Sequence, residues 1–365
     1  MAVVHSVLLL WTLTVLVVLH SVQLSRAQAH HRNWNEAQLP KCKKLLTRKE
    51  WRTLTQSEKA EWVKAVKCLA SIRHERLSFA KDHTVLEGKR SLYDDFSYTH
   101  ALVEHSAHRN AYFLPWHRWF THLFDTSLRE TCGYSGPTPY WDWSRDHKDL
   151  FHSPIFEDSH EYGLGRNGDP ELDCAVTTGA FASFELAWPI PHTLRRNLTL
   201  LTGWYPHELP QNRTLTPEYV RNATEQTTGD FFRFQGHMAL LHNHVHNFVG
   251  GDLAGSCPQA IPEDHCNGMA DSFTPNDPLF WLHHAQLDRL WNEWQRRDPS
   301  NFAAFSGMPL VAQDMSDPSY DVDANADHMM PFDIRSVSVP PKAVFDTEAW
   351  PLCYRYADEE TPVLE

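Results

Sequence analysis

The chain has 365 residues, 42% of them hydrophobic and 12% aromatic, with a formal net charge of −13 and 24 histidines. That length can bury one large core, and the acidic balance argues against nucleic acid and anionic membranes as partners. Small neutral ligands would feel little of it.

The chain opens with an apolar run, Val7 to Leu19, and a small-residue site, Ala27-Gln28-Ala29. Residues 1–29 read as a secretory signal peptide, although the n-region carries no Lys or Arg. The run is short for a bilayer span, and no later stretch is apolar enough for one. The remainder, residues 30–365, reads as one domain of 336 residues (365 minus 29) with a charge of −14, because Arg26 leaves with the signal. Secretion puts Cys42, Cys68, Cys132, Cys174, Cys257, Cys266 and Cys353 in an oxidising compartment, where seven cysteines predict disulfides with one left over. Order alone does not fix the pairing, though Cys257 and Cys266 are near enough to close a short loop.

Residues 30–54 are polar and irregular. Thr55 and Glu58 form a capping box ahead of a helix predicted over 56–71. Helical spacing returns over 93–104, and the segment 108–114 reads as extended. Pro115 marks a helix over 115–130 whose apolar face carries Phe120, Leu123, Phe124 and Leu128. Residues 133–230, rich in Pro, Gly, Asn and Thr, read as loops with short helices. Three sequons stand there, at Asn197, Asn212 and Asn222, and predict an exposed glycosylated segment. A helix over 235–248 stops at Gly250-Gly251, and Pro275-Asn276-Asp277-Pro278 precedes another over 279–297. Beyond Pro299 the chain reads as loop, with a solvated acidic stretch from Asp314 to Asp327. The fold class is mainly α, a four-helix bundle core facing a metal site, with extensive loops and few short strands.

The histidines carry the chemistry. His242 and His246 are four apart, so both rings leave one face of a helix and can reach one ion. His284 joins them, with Asp288 four residues on as a carboxylate able to orient a ligand imidazole. His100 and His117 sit on two predicted helices, with His108 between them. Three neutral imidazoles beside three more, with no thiolate and no required carboxylate, suit two copper ions that change redox state and share dioxygen as co-substrate. His105, His122, His237, His244 and His283 read as bystanders: His244 points away from both its neighbours, and His283 and His284 do not share one direction on a helix. Zinc is the rival metal, but Asn243 stands where the HExxH zinc proteases need a glutamate base.

Two longer patterns add a resemblance. His108-Arg109-Asn110-Ala111-Tyr112-Phe113-Leu114-Pro115-Trp116-His117-Arg118 and Asp277-Pro278-Leu279-Phe280-Trp281-Leu282-His283-His284-Ala285-Gln286-Leu287-Asp288 resemble the two signatures of the tyrosinase family of type 3 copper proteins. Pro139-Tyr140-Trp141-Asp142-Trp143 agrees, and Arg48 to Leu54 looks most like short secreted fungal polyphenol oxidases. The resemblance implies His100, His108 and His117 on one copper, and His242, His246 and His284 on the other. It implies an oxidoreductase that turns o-diphenols into o-quinones. The alternatives are a full tyrosinase with monophenol hydroxylation and, from a different class, a hemocyanin-like oxygen carrier.

Four positions depart from that pattern. Ser106 stands where many fungal relatives carry the cysteine of a thioether, and Asp125 where a Glu is usual. Strong monophenol hydroxylases pair the residue matching Asn243 with a nearby Glu, but residues 232–241 hold no acid and Gln235 is the nearest polar stand-in. Phe273 falls at the gate position, where its ring would narrow access. The expectation is therefore fast catechol oxidation and weak monophenol hydroxylation. Cys353-Tyr354-Arg355-Tyr356 resembles the marker that closes the catalytic domain, and no C-terminal lid domain is expected.

Overall fold

The computed structural model describes residues 40–74, 90–201, 210–261, 273–309, 324–332 and 338–357. Residues 1–29, read above as a signal peptide, Cys266, most of the acidic stretch and the side chain of His105 lie outside the described residues.

Helix α1, Gln56–Leu69, starts at the expected capping box: the Thr55 hydroxyl accepts from the Glu58 N–H at 3.2 Å, and the Glu58 carboxylate accepts from the Thr55 N–H at 2.8 Å. Two such satisfied donors fix the helix start. Helix α2, Leu92–Ala107, begins at a second box, Ser91 with Asp94, and runs longer at both ends than its spacing suggested. Helix α3, Phe113–Cys132, starts two residues ahead of Pro115. The proline falls in the first turn, where its missing N–H has no helical partner to lose. The segment 108–114 is thus extended only at its start. Gly133 ends α3 at φ 69°, with its N–H on the Arg129 carbonyl and the Tyr134 N–H on the Leu128 carbonyl.

Two short helices follow, α4 (Gln211–Thr214) and α5 (Pro217–Glu225). Helix α6, Phe231–Val249, begins four residues before its expected start because the Asp230 carboxylate caps the Arg233 N–H and Phe231 and Phe234 are buried. Helix α7, Leu279–Arg297, has the bounds read from the sequence, and α8, Pro299–Phe302, closes it. The strands are few and short: β1 Leu46–Arg48, β2 Glu185–Leu186, β3 His192–Thr193 and β4 Tyr354–Tyr356. β1 pairs in parallel with β4, Leu46 opposite Tyr354, and β2 pairs antiparallel with β3.

Helix α3 packs on α7, with α1 and α2 against α3 and α6 against α7. Aromatic stacks fasten these contacts: Phe124 on Trp281 at 3.7 Å and 1°, and Phe234 on Trp294 at 4.5 Å and 11°. Disulfides Cys42–Cys353 and Cys68–Cys132 tie β4 to the N-terminal segment and α1 to α3. Cys257 is also disulfide-bonded, and Cys174 is free. Among the described residues no helix is long and apolar enough to cross a membrane.

Candidate metal centre

Helices α2 and α3 present His100 and His117, and His108 stands at the C-terminal cap of α2, with φ −126°. Their ring centroids are 5.0 Å (His100–His108), 5.7 Å (His100–His117) and 4.9 Å (His108–His117) apart, and their nitrogens converge within 4.8 Å. A second group converges across the bundle. His242 and His246 from α6 are 4.0 Å apart, and His284 from α7 is 5.1 Å from His242. The two groups abut: His117 stacks on His284 at 4.3 Å and 10°. All six expected residues are thus brought together.

The hydrogen bonds settle which nitrogen faces inward. Nδ1 of His108 lies 3.0 Å from the Glu104 carbonyl, that of His117 2.8 Å from the Phe113 carbonyl, and that of His246 2.5 Å from the Leu253 carbonyl. A carbonyl only accepts, so each Nδ1 carries the proton and each Nε2 keeps a bare lone pair. Nδ1 of His242 does the same toward the Asn243 side-chain oxygen at 2.9 Å. The inward Nε2 atoms of His117, His242 and His246, and both nitrogens of His284, are buried without a hydrogen-bond partner. Each such nitrogen costs about 1–3 kcal/mol if nothing satisfies it, and a metal ion is the partner that accepts several lone pairs at one point. Burial first, then repulsion from the neighbouring imidazoles, pushes His117, His242, His246 and His284 well below the usual histidine range. They are neutral at neutral pH, the form a metal requires. An all-imidazole donor set without thiolate or carboxylate fits copper.

Aromatic rings wall this centre. Phe113 lies 4.9 Å from both His117 and His242, Phe280 lies 4.1 Å from His284 and 5.5 Å from His100, and Trp116 lies 4.8 Å from His117. Such rings exclude water; all but Phe280 on His284, tilted at 37°, meet the imidazoles edge-on.

Two expectations need correcting. His283 is no bystander: its ring lies 5.1 Å from His246 and 5.6 Å from His242, within the second group, because α6 crosses α7 closely enough to meet side chains about 100° apart on the helix. Asp288 does not orient His284. Its carboxylate takes the Arg118 guanidinium and the hydroxyls of Tyr354 and Tyr356 instead. That knot joins α3, α7 and β4. The other bystanders stay outside: His122 stacks on Trp119, with burial holding its pKa down to about 3, His237 meets the Tyr219 hydroxyl, and His244 meets the Thr214 hydroxyl.

Asn243 is exposed, with its oxygen on His242. Gln235 is buried, and its Oε1 has no partner. Phe273 is fully buried at the start of the turn Thr274–Asn276. The acids just ahead of residues 232–241 are engaged elsewhere: Glu225 pairs with Arg297 at 2.6 Å on the surface, and Asp230 caps α6.

Comparison with known proteins agrees with this geometry. The family model described as the common central domain of tyrosinase matches residues 90–297. A protein named tyrosinase ustQ from Aspergillus flavus is 32% identical over 335 residues, covering 87% of this chain and 81% of its own length. A tyrosinase from Streptomyces glaucescens is 34% identical over 292 residues, covering 75% of this chain and 91% of its own. A solved variant of the polyphenol oxidase of Thermothelomyces thermophila superposes with a TM-score of 0.63 at 25% identity, covering 92% of this chain and 93% of that one.

Proposed function

Because the chain belongs to the tyrosinase family of type 3 copper oxidases, we propose that it acts outside the cell, oxidising o-diphenols and related phenols to o-quinones and hydroxylating monophenols weakly. In this reading His100, His108 and His117 hold one copper ion, and His242, His246 and His284 hold the other. The observation that carries it is the set of buried, unpartnered inward nitrogens whose outer partners are backbone carbonyls. When bound, the copper pair supplies the redox centre at which dioxygen accepts electrons. Two diphenols then yield two o-quinones and dioxygen leaves as two waters, so electrons and protons balance. Phe113 and Phe280 keep bulk water out and offer flat apolar faces to the substrate ring. The carbonyls of Glu104, Phe113 and Leu253 and the Asn243 oxygen hold the imidazoles of His108, His117, His246 and His242 in their donor orientation.

The weak hydroxylation rests on proton transfer. A monophenol must be deprotonated, and a positioned base is worth roughly 10²–10⁴-fold. Gln235 takes no proton, Asn243 is engaged by His242, and Glu225 and Asp230 are committed elsewhere. On tyrosol without a diphenol primer, the initial rate should fall about 100-fold or more below that on the matching catechol. Similar rates with no lag would make the protein a full tyrosinase.

Extracellular location is supported by three disulfide-bonded segments and by the exposure of Asn197, Asn212 and Asn222. Protein secreted from a eukaryotic host should begin at His30 and carry glycans at all three asparagines. An intact N-terminus by mass spectrometry would remove this part of the proposal.

A further inference from the structure

Helix α6 ends at Val249, three residues after His246, and the chain turns back on itself. The turn is set by Gly250 at φ 64° and Gly251 at φ 52°. A Cβ on either would fall 2.3 Å from the Asn197 carbonyl oxygen or 2.2 Å from that of Arg195, so the turn is pressed onto the segment that follows β3. Within it the Leu253 carbonyl accepts from His246 Nδ1 at 2.5 Å. What aims that carbonyl is the residue before it. Asp252 is fully buried; its Oδ2 accepts from the Arg195 N–H at 2.8 Å, its Oδ1 from His192 Nε2 at 3.1 Å, and its own N–H donates to the Arg195 carbonyl at 3.0 Å. The Arg195 guanidinium donates to the Ser256 carbonyl at 2.7 Å, holding the far end of the same turn. His192 Nδ1 lies 2.7 Å from the Ile190 carbonyl, so both nitrogens of this ring face acceptors, which only the protonated ring satisfies.

We propose that Asp252 is the positioning residue of the second histidine group, acting through the Leu253 carbonyl on His246, with His192 and the Arg195 backbone as its anchors. The inference rests on the copper assignment above. Asp252 is 32 residues from His284 (284 minus 252) and six from His246 (252 minus 246), so neither helical spacing nor the family signatures point to it. Removing its carboxylate frees the turn from two donors and leaves a buried His192 cation without its counter-charge. The carbonyl then drifts and His246 loses the acceptor that keeps its lone pair inward. Outer partners of ligand histidines typically contribute 10–100-fold to metal affinity.

The test follows copper release from the loaded full chain into excess EDTA, with EPR of the Cu(II) left behind. In Asp252→Ala one ion should leave about 10–100-fold faster than in the parent, the other at the parental rate, and the residual EPR signal should match that of His246→Ala. Asp252→Asn should release copper nearly as the parent does. Its oxygen still accepts from the Arg195 N–H, and its NH₂ donates to a neutral His192 whose Nδ1–H stays on Ile190. Parental release of both ions from Asp252→Ala overturns the inference, as does equal loss of both ions in Asp252→Ala and Asp252→Asn. If Asp252→Ala does not fold, His192→Phe decides, since it cuts one anchor only: faster loss of one ion supports the inference and parental release overturns it. A parent chain that binds no copper pair overturns the functional reading as well, which separates the two failures.

Discussion

His284→Ala should lose one of two bound copper ions and all measurable phenol oxidation, and His117→Ala should do the same. Neither ring is held by a long polar network. His284 is gripped by Phe280 at 4.1 Å and by its stack on His117 at 4.3 Å, so truncation deletes the ligand and loosens its neighbour in the other group. Outer partners of ligands already contribute about 10–100-fold, so removal of a ligand itself should exceed that. His237→Gln is the control. That ring sits outside both groups against the Tyr219 hydroxyl, and its variant should keep two ions and the parental rate. Elemental analysis and oxygen uptake on the same preparations check all three. Parental copper content and rate in His284→Ala would remove it from the ligand set.

Asp277→Ala should destabilise the protein by about 3–5 kcal/mol, a large share of the 5–15 kcal/mol that holds a typical fold together. Arg196 and Asp277 are both fully buried and joined by two bonds of 2.7 Å, while the same guanidinium donates to the Leu164 and Gly165 carbonyls. Asp277 Oδ1 also accepts from the Leu279 N–H at 2.9 Å, at the first turn of α7. Removing the carboxylate leaves a buried cation uncompensated, which costs far more than the pair itself contributes. Because α7 carries His284, the loss should appear in thermal unfolding of metal-free and copper-loaded protein alike. Adding Arg196→Met should recover part of the stability, since an apolar replacement of both charges is often neutral. An unchanged unfolding midpoint in Asp277→Ala would contradict this account of the pair.

Much of this was legible from the sequence, for local reasons. Helix α7 was read to its last residue because prolines bracket it, Pro278 before and Pro299 after. The Thr55–Glu58 box is a local pattern, and it formed as such. The six histidines singled out by helical spacing and the resemblance converge in two adjoining groups, the second of which also takes in His283. What was missed depends on contacts distant in sequence. Asp288 lies one helical turn from His284, but the Arg118 guanidinium and two tyrosines near the C-terminal end reach it first. His283 looked misdirected because spacing within one helix says nothing of a second helix crossing it. The Cys42–Cys353 bridge spans 311 residues, and no pattern along the chain could select it. The tautomer of His246 is set by a backbone carbonyl, to which any residue contributes equally, so nothing in the side-chain pattern marks it.

Oxygen uptake by the copper-loaded chain with a simple catechol tests the central claim most directly. The account predicts rapid uptake with two catechol molecules oxidised to o-quinone per dioxygen consumed. A chain that carries two copper ions and binds dioxygen reversibly, yet consumes none in the presence of catechol, would contradict it.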